Sequence, residues 1–353
     1  MKSQKLKVFI DQVPLRSGHA ARGIGSYIRN LVDALNKGKE VKLVGNIGDA
    51  DLVHYPYFDL FFLTLPLSKP KSTVVTIHDV IPLIYPEHYK QGIKGWLKFQ
   101  MQKRSLKNVD AIITDSETSK KDILRFLDVP QDKIHIIHLA PSPSFKKIAQ
   151  KNSVLPRTVE KYNLPEKFIL YVGDVNYNKN IPGLLHAFKI LSNHPTIQSS
   201  NLKLVLVGGA FQNKTLTETQ NIFELINRLK LEDKVIITGF VPGQDLVCLY
   251  NLATVYCQPS FYEGFGLPVL EAMKCGCPVV AGKTQSLVEI AEGAALFVNP
   301  KDPNNISDGL LKVLSDQTTK TILIKQGIVH VKKFSWEKTA QETIDVYKKI
   351  SHG

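Results

Sequence analysis

The sequence has few cysteines, and none of them form a pairing pattern. Only four occur among 353 residues, namely Cys248, Cys257, Cys275 and Cys277. No two of them make a C-x-x-C pair, and Cys275 and Cys277 lie too close together for a zinc knuckle and lack partner ligands. We therefore expect small, buried or half-buried thiols in a reducing compartment rather than a zinc site.

Long apolar runs are also missing. No stretch reaches the roughly 18 apolar residues that a membrane span needs. The segment Met1–Lys7 lacks the apolar core and the cleavage site of a signal peptide. We expect a cytoplasmic protein, with peripheral attachment to the inner face of a membrane as an open alternative.

Acidic residues are fewer than basic residues in this sequence. The chain has 32 Asp and Glu against 45 Lys and Arg, a net charge of +13. Such a charge favours nucleotides, acidic lipid surfaces or nucleic acid as partners, without choosing among them. Hydrophobic residues make up 43% and charged residues 22%, which excludes a disordered chain. The length exceeds what one hydrophobic core usually serves, so we expect two domains.

Short runs of β-branched residues alternate with helical patterns along the whole chain. Runs such as Leu204–Val207 are apolar at every position, which is typical of strands in a parallel sheet covered by helices. The alternation predicts doubly wound α/β domains. The predicted strands are Leu6–Gln12, Val41–Ile47, Asp51–Tyr55, Ser72–His78, Ala111–Asp115, Ile134–Leu139, Phe168–Gly173, Lys203–Val207, Val235–Thr238, Val255–Gln258, Pro278–Ala281 and Ala295–Val298.

A polar, proline-containing segment, Ser142–Glu166, separates the two series of strands and is predicted to be the linker. The predicted domains are residues 1–146 and 147–334. A final helix within residues 335–353, capped by Ser335, is expected to cross back onto the first domain.

The most informative stretch, Gln258–Met273, follows a predicted buried strand. Its order of strand, glycine-rich turn and helix occurs where open α/β sheets bind ligands. Gly264 and Gly266 allow the backbone to approach a ligand closely. A helix that begins near Leu267 would point its free N–H groups at this crevice and offer an anion site for a diphosphate.

Two glutamates flank this turn, Glu263 before the glycines and Glu271 in the helix. Alone, Glu271 could simply complement the helix dipole, an effect of about 0.5 kcal/mol, and Glu263 could be a solvated carboxylate. Together on one turn, they indicate carboxylates that accept hydrogen bonds from sugar and ribose hydroxyls.

The spelling Glu-Gly-Phe-Gly-Leu-Pro at 263–268, and the seven residues between Glu263 and Glu271, resemble glycosyltransferase family four. The resemblance implies an α/β protein of the GT-B fold, in which two Rossmann-like domains face a central cleft. It implies that Glu271 holds the ribose of a nucleotide-sugar donor. It also implies that the donor hexose and diphosphate are held by Glu263 and by the amides of Gly264, Phe265, Gly266 and Leu267.

Landmarks of the same family occur in the first half of the chain. Arg22–Tyr27 resembles the glycine loop that lies over the diphosphate, which implies donor contacts for Gly23 and Gly25; an ordinary tight turn is the alternative. His78 matches the histidine near the reacting carbon, although a lone histidine at a strand end can also be structural.

The segment Asp110–Glu117, together with Ser119, matches the family's strand-to-helix segment before the linker.

The second half carries further landmarks. Tyr171–Asn180 resembles the first strand and loop of the nucleotide-binding domain, with Gly173 at the donor and Lys179 matching the lysine that neutralises the leaving diphosphate. Many relatives have an arginine where this chain has Asp174, so Lys179 must carry more of the phosphate charge. The resemblance also implies that the backbone of Val241 contacts the base of the nucleotide.

One short segment matches the sequence of a metal-binding motif but lacks its context. Asp49-Ala50-Asp51 reads as D-x-D, but it precedes a strand and no second ligand cluster accompanies it. We therefore expect no metal and no cofactor, because the nucleotide-sugar is a substrate.

Residues Tyr89–Lys107 mix six basic side chains with apolar ones. Such a helix can lie on an anionic membrane, or it can pack on its own domain with a solvated basic face. Gly92 and Gly95 weaken the helix itself.

The resemblance implies a retaining glycosyltransferase that moves a hexose to a saccharide or lipid-linked saccharide acceptor, without a nucleic-acid partner. The spellings at 22–27 and 76–83 are most similar to mannosyl-transferring members that build surface polysaccharide, so GDP-mannose is the first-choice donor. The alternatives are a nucleotide-sugar epimerase on the same fold and a catalytically dead, basic binding protein.

Overall fold

The computed structural model describes residues 5–16, 18, 23–149 and 151–351. The chain divides into two compact units. The first consists of residues 1–142 with 334–353, and the second of residues 143–333. The second unit is therefore continuous in sequence, whereas the first is completed by the helix that follows it.

The first unit is built on a parallel sheet of six strands in the order β2-β1-β3-β4-β5-β6. Its strands are β1 (Leu6–Ile10), β2 (Val41–Leu43), β3 (Leu52–Tyr55), β4 (Ser72–Thr76), β5 (Ala111–Thr114) and β6 (Ile134–Ile136). Its helices are α1 (Gly23–Gly38), α2 (Ile81–Ile84), α3 (Gly92–Leu106), α4 (Glu117–Leu127) and, after the second unit, α14 (Trp336–Ser351).

The second unit has a parallel sheet of six strands in the order β12-β11-β10-β7-β8-β9. Its strands are β7 (Phe168–Val172), β8 (Lys203–Val207), β9 (Val235–Gly239), β10 (Val255–Gln258), β11 (Val279–Gly282) and β12 (Leu296–Val298). Its helices are α5 (Val154–Tyr162), α6 (Ile181–Ser192), α7 (Pro195–Gln198), α8 (Thr217–Arg228), α9 (Gly243–Leu252), α10 (Leu267–Lys274), α11 (Gln285–Ala291), α12 (Pro303–Ser315) and α13 (Gln317–His330).

Both sheets confirm the predicted α/β architecture. Every strand pair is parallel, and each predicted run contains a strand, with ends shorter by a few residues in several cases. The central strands are buried throughout, as in Leu204–Val207. The reason is that apolar side chains on alternate positions face helices on both sides of the sheet.

The strand order of each sheet reverses at one place, and this place is where such sheets bind ligands. In the second sheet the chain runs outward from β7 through β8 to β9, and then outward on the other side from β10 through β11 to β12. The loops that follow β7 and β10 are therefore neighbours at the carboxyl edge. In the first sheet, β1 and β3 flank the corresponding reversal.

The boundary between the two units falls at the start of the segment Ser142–Glu166, between residues 142 and 143, and the rest of the segment belongs to the second unit. This segment contains α5, which packs on α9 and buries Leu155 and Thr158. Asn251 fixes the part before the helix, because its Oδ1 accepts the N–H of Ile148 at 2.7 Å. The apolar residues at helical spacing were obscured by the polar residues and Pro156 around them.

The C-terminal helix α14 has the predicted cap, since Ser335 Oγ accepts the N–H of Lys338 at 3.1 Å. It packs against α1, β4 and β5. Trp336, Ile344 and Tyr347 are buried there, so α14 is part of the core of the first unit.

All four cysteines are buried and free. Within the described ranges, the helices are all too short or too polar to cross a membrane.

Candidate active site

Lys179 and Glu263 form an ion pair at the reversal point of the second sheet. Lys179 Nζ donates to Glu263 Oε1 at 2.9 Å and to Oε2 at 2.8 Å. Lys179 follows β7 and Glu263 follows β10, the two strands between which the order reverses. The side chains are 21% and 6% exposed, respectively, so the lysine is the more accessible partner.

The Glu263 carboxylate is held from several sides. Gln258 Nε2 donates to its Oε1 at 2.8 Å, and Ser260 Oγ donates to the same atom at 2.6 Å. Ser286 Oγ donates to the Glu263 carbonyl at 2.7 Å. These contacts fix the rotamer and supply hydrogen bonds that a buried carboxylate requires. Neither Gln258 nor Ser260 was identified from the sequence as a partner of Glu263.

Two asparagines join the loops that carry the ion pair. Asn178 Nδ2 donates to the Tyr262 carbonyl at 2.9 Å, and Asn180 Nδ2 donates to the Pro259 carbonyl at 3.0 Å. Asn180 has a positive φ of 56° and also caps α6, because its side chain accepts the N–H of Gly183. The position of Lys179 is thus set by its neighbours on both sides.

The glycine-rich turn between Glu263 and α10 has the predicted form. Gly266 is left-handed with φ of 105°, and a Cβ there would lie 2.4 Å from a methyl of Leu287. Helix α10 begins at Leu267, with Pro268 in its first turn. Of its first three residues, Pro268 has no N–H and the N–H of Val269 donates to the Gly266 carbonyl at 3.0 Å, so an anion at this helix start would meet the N–H of Leu267. Gly264 and Phe265 lie buried in the turn before it.

Glu271 lies inside α10 and is buried. Its Oε2 accepts the hydroxyl of Tyr250 at 3.1 Å. Burial raises the pKa of Glu271 to about 7, and the Tyr250 hydrogen bond only partly opposes this. Near neutral pH the side chain therefore exchanges readily between an acceptor-only carboxylate and a carboxylic acid.

Gly173, at the end of β7, is tightly enclosed. A Cβ there would lie 2.6 Å from the Tyr171 hydroxyl, and that hydroxyl donates to the Asp174 carbonyl at 2.8 Å. Asp174 Oδ1 accepts the N–H of Val175, so the residue that replaces the expected arginine shapes its own turn. Val241 is buried in the loop between β9 and α9.

In the first unit, His78 follows β4 and pairs with Asp115, which follows β5. His78 Nδ1 lies 2.7 Å from Asp115 Oδ2, with the side chains 18% and 3% exposed. Burial lowers the pKa of His78, but the Asp115 carboxylate outweighs this and raises the pKa above its usual value. Ser119 Oγ also donates to the His78 carbonyl at 2.8 Å, so the segment at the start of α4 holds both the ring and the backbone.

A buried polar chain lies behind His78. Tyr27 packs its ring edge-on against His78, with centroids 4.8 Å apart, and its hydroxyl lies 3.0 Å from Thr76 Oγ1. The same Thr76 atom lies 2.8 Å from His54 Nε2, and His54 Nδ1 lies 2.6 Å from the Tyr347 hydroxyl. Burial lowers the pKa of His54 to about 3, so His54 is neutral and structural.

The predicted glycine loop is described only in part. Gly23 and Gly25 form the first turn of α1, where Gly25 is buried, whereas Arg22 lies outside the described residues. The D-x-D spelling has a structural use, because Asp51 Oδ2 accepts the N–H of Lys7 at 2.8 Å. In the part of the chain that the structure describes, no three His, Cys, Asp or Glu side chains are grouped as metal ligands.

The comparisons with known proteins agree with this geometry. Residues 157–330 match the family model described as Glycosyl transferases group 1, and residues 11–140 match the model described as Glycosyltransferase Family 4. The sequence is 33% identical over 289 residues to O-antigen chain mannosyltransferase B of Escherichia coli, covering 82% of this chain and 72% of that protein.

Two further similarities extend this result. The chain is 30% identical over 295 residues to the serotype-specific mannosyltransferase WbdA of Escherichia coli. That match covers 83% of this chain but only 35% of WbdA. The structure matches sucrose-phosphate synthase from Thermosynechococcus elongatus with a TM-score of 0.75 and 20% identity, over 98% of this chain and 99% of that one.

These matches define an enzyme that transfers glycosyl groups on a GT-B fold. The chain belongs to glycosyltransferase family 4. The epimerase and the non-catalytic alternative gain no support from either family model.

Proposed function

We propose that this glycosyltransferase moves mannose from GDP-mannose, with retention, to a saccharide or lipid-linked saccharide acceptor during surface-polysaccharide synthesis. The support for mannose is the similarity to O-antigen chain mannosyltransferase B and to WbdA. The choice of guanine rests on the mannosyltransferase resemblance of residues 22–27 and 76–83.

The observation that carries the proposal is the Lys179–Glu263 pair at the reversal point of the second sheet. A cation and a carboxylate with several hydrogen bonds lie there beside the N-terminus of α10. These groups match the charge of a nucleotide-sugar, because the diphosphate needs positive partners and the sugar hydroxyls need acceptors.

The proposed chemistry is a front-face displacement in which the departing diphosphate helps to deprotonate the acceptor hydroxyl. Such a step requires stabilisation of negative charge on the leaving group more than it requires a protein nucleophile. Lys179 and the amides at 264–267 supply this stabilisation in our proposal. Because Lys179 also pairs with Glu263, the glutamate sets the position of the ammonium group as well as accepting a sugar hydroxyl.

The remaining site residues have supporting roles in the proposal. Glu271 accepts hydrogen bonds from the ribose hydroxyls, the Val241 backbone contacts the base, and the backbone of Gly173, Gly23 and Gly25 contacts the donor. His78 positions the donor sugar, and its ring is held by Asp115 through Nδ1. The donor is a substrate, so the proposed reaction uses no cofactor and no metal.

Calorimetry with GDP, UDP and ADP tests the choice of base, and we expect the tightest binding for GDP. Transfer from GDP-mannose to a short mannoside or a lipid-linked saccharide tests the activity, and proton NMR of the new anomeric signal tests retention. An inverted anomeric configuration would contradict the mechanism. Tight binding of UDP with no binding of GDP would contradict the donor.

A further inference from the structure

Seven of the exposed large apolar side chains lie on helix α3 and on the loop between β3 and β4. We refer to this surface as the α3 face. Its apolar members are Phe62, Leu63, Leu67, Ile93, Trp96, Leu97 and Met101. An exposed apolar cluster of this size on one element and its neighbouring loop indicates an interaction site.

Helix α3 is amphipathic with its apolar stripe turned outward. Ile93 is 81% exposed, Leu97 52% and Trp96 51%, and with Met101 they follow the spacing of one helix face. The opposite face is buried and includes the polar residues Gln102 and Ser105. The sequence left open whether the apolar side of this helix packs on its own domain. In the structure, the stripe of Ile93, Trp96, Leu97 and Met101 is exposed instead.

Hydrogen bonds from two buried side chains of α3 attach the loop to the helix. Gln102 Nε2 donates to the Asp59 carbonyl at 2.9 Å and to Thr64 Oγ1 at 2.8 Å. Ser105 Oγ donates to the Pro66 carbonyl at 2.6 Å. The exposed apolar residues of the loop are therefore held beside those of the helix and form one continuous, preorganised surface.

Basic residues predominate around this surface, and the acidic residues Asp59, Glu87 and Asp110 lie at the ends of its segments. Residues 60–71 and 88–109 contain no Asp or Glu and carry eight Lys and Arg side chains. Lys98 lies over the ring of Phe62, 5.0 Å from its centroid. The basic residues are Lys69, Lys71, Lys90, Lys94, Lys98, Lys103, Arg104 and Lys107.

We propose that the α3 face binds an anionic lipid bilayer, with its apolar side chains among the acyl chains and its lysines at the headgroups. Exposed apolar residues and cationic residues occur together on this face, and an anionic interface satisfies both. Trp96 is suited to the boundary because its ring is amphipathic. The proposal takes up the peripheral membrane attachment that the sequence left open, and it does not depend on which sugar is transferred.

Vesicle sedimentation tests the proposal. We expect the protein to bind phosphatidylglycerol vesicles more tightly than phosphatidylcholine vesicles, and to bind less as salt rises. Combined Ile93→Ser, Trp96→Ser and Leu97→Ser substitutions should reduce the partition coefficient about tenfold or more. The matched control is Ile322→Ser with Val329→Ser, two exposed apolar residues of the second unit, and it should bind as the parent does.

Charge reversal separates the electrostatic part. Lys94→Glu with Lys107→Glu should remove the preference for phosphatidylglycerol, whereas Lys214→Glu with Lys325→Glu, two exposed lysines of the second unit, should change it less. The other tryptophan, Trp336, is buried, so a blue shift of the fluorescence on vesicle addition reports Trp96. Trp96→Phe should abolish that shift.

Three results would overturn the proposal: no binding of the parent protein to anionic vesicles, equal loss in the α3-face and control variants, or a dimer that the α3-face substitutions disperse without vesicle binding. Transfer to a water-soluble acceptor is measured in parallel. Retained transfer with lost vesicle binding supports the α3 face, whereas absent transfer in the parent protein contradicts only the proposed function.

Discussion

The Nδ1 atom of His78 lies 2.7 Å from Oδ2 of Asp115, 37 residues away in sequence. The pair joins the carboxyl ends of β4 and β5, adjacent strands of the first sheet. It fixes a proton on Nδ1, whereas the other ring nitrogen, Nε2, is buried. It also favours the imidazolium form, because the carboxylate attracts its charge.

Asp115→Asn is therefore expected to lower the pKa of His78 by about one unit or more. In the parent protein, stabilisation from charged His78 is present below the ordinary pKa of 6.5 and is lost as pH rises through the raised value. The variant should lose this stabilisation. NMR titration of the His78 ring and unfolding between pH 6 and 8 measure both effects.

The exposed Asp132→Asn is the control and should leave the His78 titration unchanged. If transfer depends on charged His78, the alkaline limb of the pH–rate profile shifts to lower pH in Asp115→Asn. An unmoved His78 pKa would show that Asp115 does not govern the ring.

Glu263→Ala is expected to abolish transfer while the nucleoside diphosphate still binds, because Glu263 is assigned to the sugar rather than to the base or ribose. Turnover and calorimetry with GDP measure the two quantities. Collapse of GDP and UDP affinity in a folded variant would contradict this assignment.

Lys179→Ala should reduce turnover about 10²-fold or more, and more than Lys179→Arg, which keeps the charge and can still pair with Glu263. Because the two side chains contact each other, Lys179→Ala and Glu263→Ala should be non-additive in the double variant. The pair Lys161–Asp245, whose side chains are 57% and 21% exposed, is the control, and its removal should leave turnover unchanged. A silent Lys179→Ala would mean that another group neutralises the diphosphate.

Glu271→Gln should weaken nucleotide binding and reduce its pH dependence. Ribose hydroxyls bind the carboxylate in our proposal, so GDP binding must expel the proton that Glu271 holds below about pH 7. The parent affinity should then fall by up to about tenfold per pH unit below this value, relative to Glu271→Gln. Calorimetry at pH 6 in buffers of different ionisation enthalpy should detect the released proton only in the parent protein.

The same raised pKa affects folding. A protonated Glu271 is tolerated when buried, so its contribution to stability is greatest below the unfolded value of 4.5 and is lost as pH rises through about 7. Glu271→Gln should flatten the stability curve across this window. If the stability curve of Glu271→Gln runs parallel to that of the parent protein, the pH dependence arises from another group.

Transfer activity should survive excess EDTA, because the proposal assigns leaving-group stabilisation to Lys179 and backbone amides. The activity assay is run with EDTA, and then with added magnesium or manganese. Loss with EDTA and recovery with either ion would contradict the metal-independent proposal.

The strands and the glycine-rich turn could be predicted from the sequence because their signals are local. Apolar runs such as Leu204–Val207 and the spacing of Gly264 and Gly266 depend on neighbouring residues only. The same holds for α10, where Pro268 marks the first turn. The segment Ser142–Glu166 shows the limit, since the apolar side of α5 is visible only against α9.

The individual charged residues of the site could be found from the sequence, but their partners could not. Lys179 and Glu263 were expected to act separately on the donor, yet they lie 84 residues apart and contact each other. Asp115 was visible only as part of a matched segment. The pairing of such residues depends on strand order, because it is the reversal between β7 and β10 that brings their loops together.

Helix α14 also bears on how the protein is made. The whole second unit leaves the ribosome before Trp336, Ile344 and Tyr347, which fill the core of the first unit. Until α14 has been synthesised, it therefore cannot cover His54 and the apolar residues around it in the nascent first unit. The continuous second unit can already fold at that stage. Expression in cells thus exposes the first unit to chaperone binding and aggregation during translation, and its native state is reached only after α14 has been synthesised.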